Sequence, residues 1–111
     1  MEKFDWAEEI GCGVTVSDLD SVVIYQNKRA RKIFESYGNL IGKNLKDCHG
    51  AKSWEMIQRF LETGESNSYT IEKNGVKKLI HQTPWMKDGK IAGLVEFSIE
   101  IPFEMPHFVR K

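Results

Sequence analysis

The last third of the chain alternates hydrophobic and polar residues in a way that predicts three antiparallel strands. Residues 68–73 alternate with a period of two, and residues 76–85 form the return strand. The Asn-Gly pair between them suits a hairpin turn, because both turn positions need positive φ. A following Asp-Gly pair predicts a second turn, which leads into a long strand over residues 90–101.

The last predicted strand has one strongly apolar face. Side chains on successive residues of a strand point to opposite sides of the sheet. One face therefore carries Ile91, Gly93, Val95, Phe97, Ile99 and Ile101. The other face carries Ala92, Leu94, Glu96, Ser98 and Glu100. We expect this strand to bury one side and to offer a partly wet second side.

The first part of the chain predicts a short helix followed by a β-hairpin. Residues 3–10 place apolar side chains among acidic ones, which is typical of an amphipathic helix. Two β-branched runs, at residues 14–17 and 22–25, predict strands. Residues 18–21 predict the turn that joins them, because Asp and Ser side chains bond to nearby backbone and interrupt a strand.

Two helices are predicted between this hairpin and the last three strands. Asn27 is suited to cap a helix over residues 28–37, which Gly38 ends. Ser53 is suited to cap a second helix, which ends at Gly64. The order of elements predicts an α+β domain in which a five-stranded antiparallel sheet carries helices over one face.

Composition indicates a single domain over residues 1–111. The 16 basic and 16 acidic residues cancel, which argues against nucleic-acid binding through bulk positive charge. No apolar run reaches the roughly 20 residues of a membrane span, and the charged N-terminus does not resemble a signal peptide. We therefore expect a cytoplasmic protein without a membrane partner. Cys12 and Cys48 form no CxxC pair, so no disulfide framework or metal cluster is expected.

The ordered set of motifs from about residue 9 to residue 101 resembles a PAS domain. The resemblance rests on VTVSDLDSVVIYQNKRARKIF, on LIGKNL and, after a helix, on TIEKNGVKKLIHQTPWMKDGKIAGLVEFSIEI. The stretch CHGAKSWEMIQRFLETG is similar to the PAS segment of some hemerythrin-associated regulators of bacteria and archaea. The resemblance implies strand order 2-1-5-4-3, a pocket between the helices and the inner sheet face, and a sensory role in a prokaryotic regulator.

The resemblance raises the question of a flavin or haem cofactor. Light-sensing PAS domains carry a reactive cysteine shortly after a Gly-x-Asn step. Here the Gly-Lys-Asn step at 42–44 is followed by Leu45, which cannot form a flavin adduct. Some haem-binding PAS domains carry a proximal histidine in the next helix, so His49 or Cys48 is a candidate haem ligand. His49, however, precedes the expected helix cap.

The pocket that the resemblance implies is the best site hypothesis, and such pockets are mostly apolar with a few polar groups. No catalytic triad with supporting motifs, phosphate-binding loop or HExxH sequence is present, so we expect no enzyme. The expected lining comes from residues on inward faces: Val14, Val16, Ile24, Ile33, Phe34, Leu45, Ile57, Phe60, Ile80, Leu94 and Phe97. The same residues could instead fill a solid core. The ligand would be a small metabolite, if there is one.

Apolar residues at both ends of the chain suggest contact with another chain. Phe4, Trp6 and Ile10 need a burial site, because a short isolated helix is marginally stable. Residues 102–111 form an apolar tail whose prolines prevent a regular helix. Phe103 and Phe108 would dock on the domain's own sheet or on a partner.

These features predict a sensory module that binds a small molecule or a protein partner. We expect it to be a homodimer or to contact an effector protein in trans, and to signal through those contacts. One alternative is an interaction or dimerisation domain with a filled core and no ligand. Another is a haem-based gas or redox sensor that uses Cys48 or His49.

Overall fold

The computed structural model describes residues 4–48 and 50–111, except for the side chain of Cys48. Its strands are β1 (Gly13–Asp18), β2 (Val23–Gln26), β3 (Asn67–Lys73), β4 (Val76–Lys87) and β5 (Lys90–Ile101). Its helices are α1 (Lys28–Ile33) and α2 (Ala51–Thr63), with 3₁₀ turns at Glu35–Tyr37 and Leu45–Cys48. None of the helices in these described ranges is long and apolar enough to cross a membrane.

The five strands form one antiparallel sheet in the order β2-β1-β5-β4-β3. The fold class and strand order agree with the sequence prediction. Two tight turns join β3 to β4 and β4 to β5, and both have positive φ at their two central residues. The values are 52° at Asn74 and 78° at Gly75, and again 52° at Asp88 and 78° at Gly89. Such turns match the twist of the strands that they connect.

Both helices lie over the same face of the sheet. Helix α1 packs on β1, where Ala30 and Ile33 lie close to Gly13. Helix α2 packs on β5, and its Ile57 joins the buried cluster that contains Leu94 of that strand. Gly13 pairs with Ser98, which shares a face with Leu94. We call this helix-covered side of the sheet the inner face.

Strand β5 turns the polar side of its alternating pattern toward the helices. Leu94, Glu96 and Ser98 lie on the inner face, whereas the apolar set that includes Val95 and Phe97 lies on the outer face. Burial does not separate the two sides: Gly93 on the outer face and Leu94 on the inner face are both buried, and residues 95–99 are half-buried. An extra residue, Ala92, also shifts the register between β4 and β5, so alternation does not run unbroken along the strand.

The N-terminal helix expected over residues 3–10 does not form in its described part: residues 4–6 have no regular structure, and residues 7–10 form turns and bends. Its backbone groups are used elsewhere. The carbonyl oxygen of Ala7 accepts from Asn27 Nδ2 at 2.8 Å, and that of Glu8 accepts from the Lys28 N–H at 3.0 Å. These bonds fasten the segment to the start of α1 in place of a helical ladder.

Two predicted helix limits also differ. Helix α1 ends at Ile33 rather than continuing to residue 37, because the chain tightens into the 3₁₀ turn before Gly38. Helix α2 begins at Ala51, so Ser53 lies in its first turn and Gly50 holds the cap position without a side-chain bond. Gly64 ends α2 with a left-handed backbone, as expected.

Candidate ligand cavity

A cavity of about 870 Å³ lies between the inner face of the sheet and the helical side of the domain. Its apolar wall is drawn from both helices, the connection between them and four strands. The members are Val23, Ile33, Phe34, Leu40, Leu45, Ile57, Ile71, Val76, Ile80 and Leu94. The volume falls within the range of small-molecule pockets.

The connection between the helices is held against the edge of the sheet. Gly42 N–H donates to the Val23 carbonyl at 2.8 Å, and Val23 N–H donates to the Lys43 carbonyl at 2.9 Å. Leu45 N–H then donates to the Ser21 carbonyl at 2.8 Å. These bonds cover the free edge of β2 and bring Leu45 to the cavity wall.

A continuous row of polar residues, one from each strand, crosses the inner face of the sheet, and all but Asn67 line the cavity. The pairing registers align Gln26, Thr15, Glu96, Gln82 and Asn67 across the sheet in that order. We call these five residues the polar row. Gln26 and Gln82 are only 2% and 6% exposed. Because buried polar groups need partners, such a row is either satisfied internally or available to a ligand.

Hydrogen bonds along the polar row are directed toward Glu96 from one side. Asn67 Nδ2 donates to Gln82 Oε1 at 3.5 Å, and Gln82 Nε2 donates to Glu96 Oε2 at 2.9 Å. On the other side, Gln26 Nε2 donates to Thr15 Oγ1 at 3.2 Å. The amides are thus oriented by their neighbours, with Glu96 at the centre of the floor as an acceptor.

Tyr69 stands at the β3 side of the cavity and is influenced by the same carboxylate. Burial raises the pKa of the Tyr69 hydroxyl above its ordinary value, and the negative charge of Glu96 raises it further. Both effects disfavour the phenolate. Tyr69 therefore remains an O–H donor at neutral pH.

Six of the residues expected to line a pocket do so. They are Ile33, Phe34, Leu45, Ile57, Ile80 and Leu94. Phe60 lies behind this wall, buried against Ile57 and Leu94. Whether the cavity holds a ligand stays a prediction.

Four expected lining residues lie elsewhere. Val14 pairs with Phe97 and Val16 pairs with Val95, which places these side chains on the outer face. Ile24 is the extra residue where the pairing of β1 with β2 shifts, and it is 46% exposed. Alternation from Leu94 would have excluded Phe97, but the bulge that displaces Ile24 has no signal in the sequence.

Sequence reasoning missed the polar residues of the floor. A usable signal was present, since Glu96 follows Leu94 by two positions and Gln82 follows Ile80 by two positions. Residues two apart in a strand share a face. A pocket that contains Leu94 and Ile80 therefore had to contain Glu96 and Gln82 as well.

The candidate haem ligands are His49 and the side chain of Cys48, and both lie outside the described residues. Haem ligation by either residue stays a prediction. Among the described residues, no group of three or more His, Cys, Asp and Glu side chains could hold a metal ion.

The aromatic residues at the two ends are exposed in this single chain. Phe4 is 89% exposed, Trp6 53%, Phe103 53% and Phe108 69%, whereas Ile10 is half-buried. The tail beyond Ile101 therefore does not pack these rings onto its own sheet. Contact of these residues with a partner chain stays a prediction.

Comparison with known proteins finds the same architecture in solved structures. No protein-family model matches this chain, and no curated protein does. The PAS domain of histidine kinase ThkA aligns with a TM-score of 0.64 and 16% identity, over 79% of this chain and 97% of that one.

Two further structures are similar over most of the chain. VqmA of Vibrio cholerae has a TM-score of 0.67 and 21% identity over 86% of this chain, but this match spans only 50% of VqmA. The Aer2 receptor of Vibrio cholerae, described as a dual PAS-heme oxygen sensor, has a TM-score of 0.61 and 12% identity over 82% of this chain and 95% of that one. The observed sheet order and these alignments agree, and the chain has the PAS fold.

Proposed function

We propose that this chain is a sensory signalling module that binds a small molecule in the cavity over its sheet. The cavity is the observation that carries the proposal. Its volume of about 870 Å³, its apolar wall and its oriented polar floor combine the properties of a ligand site. A domain that only contacts other proteins is expected to have a filled core, because protein interiors are normally packed to the density of organic crystals.

The structural neighbours support a sensory role. They include the PAS domain of histidine kinase ThkA and the sensor region of a sensor histidine kinase. One structure of VqmA is described as VqmA bound to DPO. At 12–22% identity these likenesses carry the fold, so the ligand of this chain must be found from its own residues.

Thermal unfolding in the presence of a metabolite panel tests the proposal, because a ligand that binds only the folded state raises the melting temperature. We expect at least one compound to do so. Ile71→Trp should remove that shift by filling part of the cavity, since Ile71 lines it and is 38% exposed. Ile24→Trp is the matched control, because Ile24 is on the opposite edge strand, 46% exposed and away from the cavity.

Two results would overturn this function. If no compound stabilises the protein, the cavity is not a ligand site and a protein-contact module becomes the better description. If a compound stabilises both tryptophan variants equally, it binds somewhere other than the cavity.

Signal output through another chain is supported by the exposed tail. Phe103 and Phe108 are exposed beyond the end of β5 on a segment without regular structure. Apolar side chains in such a position gain stability when a partner covers them. If the partner is a second copy, removal of residues 102–111 should convert a dimer into a monomer in a native mass measurement, while the melting temperature changes little. An unchanged oligomeric state would exclude a second copy as the partner of the tail.

A further inference from the structure

Glu96 is the one charged residue of the polar row. It belongs to β5, the central strand of the sheet, and its side chain lines the cavity while half-buried. Its neighbours in the polar row are Thr15 and Gln82. The polar row thus places one negative charge on the central strand, with a neutral neighbour on each side.

Only one of the two oxygen atoms of the Glu96 carboxylate accepts a hydrogen bond from the described residues. Gln82 Nε2 donates to Oε2, but within residues 4–48 and 50–111 no hydrogen bond reaches Oε1. The ion pairs of the same ranges join other residues: Lys28 with Glu9, Arg31 with Glu8 and Arg59 with Glu65. Oε1 is therefore an acceptor on the cavity side of the sheet, and a protonated amine is the donor that forms the strongest hydrogen bond with a carboxylate.

The lysines of the cavity are placed away from Glu96. Lys43 and Lys73 are exposed at its margin, and Lys78 pairs in register with Glu100, two rows further along the sheet. Glu100 is thus the cross-strand neighbour of Lys78. The floor around Glu96 therefore keeps its negative character, which would repel an anionic ligand group at that point.

We infer that the ligand of this cavity is a small molecule that presents a protonated amine to Glu96 and an apolar body to the wall above it. The inference rests on the proposed function and specifies its ligand class. The amine would donate to Glu96 Oε1, the oxygen that the polar row leaves available. Leu94 and Ile57 would contact the apolar body, since both line the cavity and belong to the same buried cluster.

Three probes of similar shape and different charge test this inference: benzylamine, benzyl alcohol and benzoate. Their dissociation constants can be measured by titration of backbone amide NMR shifts, which also locates each probe. We expect benzylamine to bind about tenfold more tightly than benzyl alcohol, since hydrogen bonds to charged groups are stronger than neutral ones. Benzoate should bind more weakly than either.

Glu96→Gln is the diagnostic variant, because it removes the charge and keeps an oxygen that can accept from Gln82. It should abolish the preference for benzylamine and leave benzyl alcohol binding nearly unchanged. Glu100→Gln is the matched control, since Glu100 lies on the same face of the same strand but is exposed. It should retain the preference.

The outcomes separate the two proposals. If the probes shift cavity residues but bind equally, or benzoate binds best, the amine inference fails and the pocket stands. If the preference survives in Glu96→Gln, or is lost equally in Glu100→Gln, Glu96 is not the receptor group. If no probe shifts residues of the cavity, the inference and the proposed pocket fail together.

Discussion

The indole nitrogen of Trp85 donates a hydrogen bond of 2.9 Å to the backbone carbonyl oxygen of Ser17. The two residues belong to β4 and β1, which flank β5, and the bond passes over Gly93. A Cβ atom at Gly93 would collide with that carbonyl oxygen and lie 2.6 Å from the indole nitrogen. The bond thus ties three strands together at a point where only glycine leaves enough space.

Gly93→Ala should therefore lower the free energy of unfolding by about 1–3 kcal/mol, because the inserted methyl group displaces the indole or the strand. Trp85→Phe should cost about 1 kcal/mol or more, because it removes the hydrogen bond together with part of the ring. Denaturant unfolding followed by circular dichroism measures both changes. Gly11→Ala is the control, since a Cβ atom there meets nothing within 4 Å. If Gly93→Ala is as stable as Gly11→Ala, the close approach at Gly93 has no energetic consequence.

Asn27 is fully buried and uses every hydrogen-bonding position of its side chain. Its Oδ1 accepts from the N–H groups of Val14 at 3.0 Å and Ala30 at 2.9 Å. Its Nδ2 donates to the carbonyl oxygens of Ala7 and Cys12, each at 2.8 Å. One side chain thus caps α1 and connects it to β1 and to the N-terminal segment.

Asn27→Ala should reduce the free energy of unfolding by about 3 kcal/mol or more, because several buried backbone groups lose their partner. Asn27→Asp keeps the two acceptor bonds but not the two donors, so it should release the N-terminal segment first. Amide hydrogen exchange of residues 7–12 would then accelerate before that of the sheet. Asn39→Ala is the control, since exposed Asn39 accepts only from Ile41 N–H. Equal stability of the two alanine variants would contradict the assigned role.

The N-terminal segment is also held by a charge pair whose contribution depends on pH. Arg31 Nη1 lies 2.9 Å from Glu8 Oε1, and this hydrogen-bonded guanidinium holds the pKa of Glu8 below its ordinary value of 4.5. A carboxyl group with a lowered pKa in the folded state stabilises the protein above its unfolded pKa. That contribution is lost as the pH falls through the folded value.

Arg31→Gln should therefore be less stable than the wild type at neutral pH, and the difference should shrink between about pH 5 and pH 3. Melting temperatures across this range measure it. Arg29→Gln, another exposed arginine of α1, should differ from the wild type by the same amount at every pH. A wild-type advantage over Arg31→Gln that stays constant down to pH 3 would exclude the pair as its source.

The sequence predicted the elements and the turns well, because these depend on local chemistry. The Asn-Gly and Asp-Gly pairs have the positive φ values that their turns require, and Asn27 caps the helix that follows it. Asp18 closes its turn as expected, accepting from the N–H groups of Asp20 and Val22. Each of these features uses a side chain and backbone groups only a few residues apart.

Prediction of the site was less complete, because a pocket depends on faces and registers. Ile24 and Phe97 were both predicted to line the pocket. A bulge removes Ile24 from the cavity wall, and strand alternation places Phe97 on the outer face. The N-terminal helix failed for a related reason. Its carbonyl groups bond to Asn27 and Lys28, which lie about twenty residues away in the sequence.

The sequence by itself determined the strands, the two glycine turns, the cap at Asn27 and an apolar and a polar side for β5. Only the tertiary structure decided that the polar side faces the helices, where Glu96 becomes the centre of a cavity floor. The physical reason is that the polar row draws one residue from each of five strands. Their alignment follows from pairing registers and bulges, which depend on how the whole sheet packs.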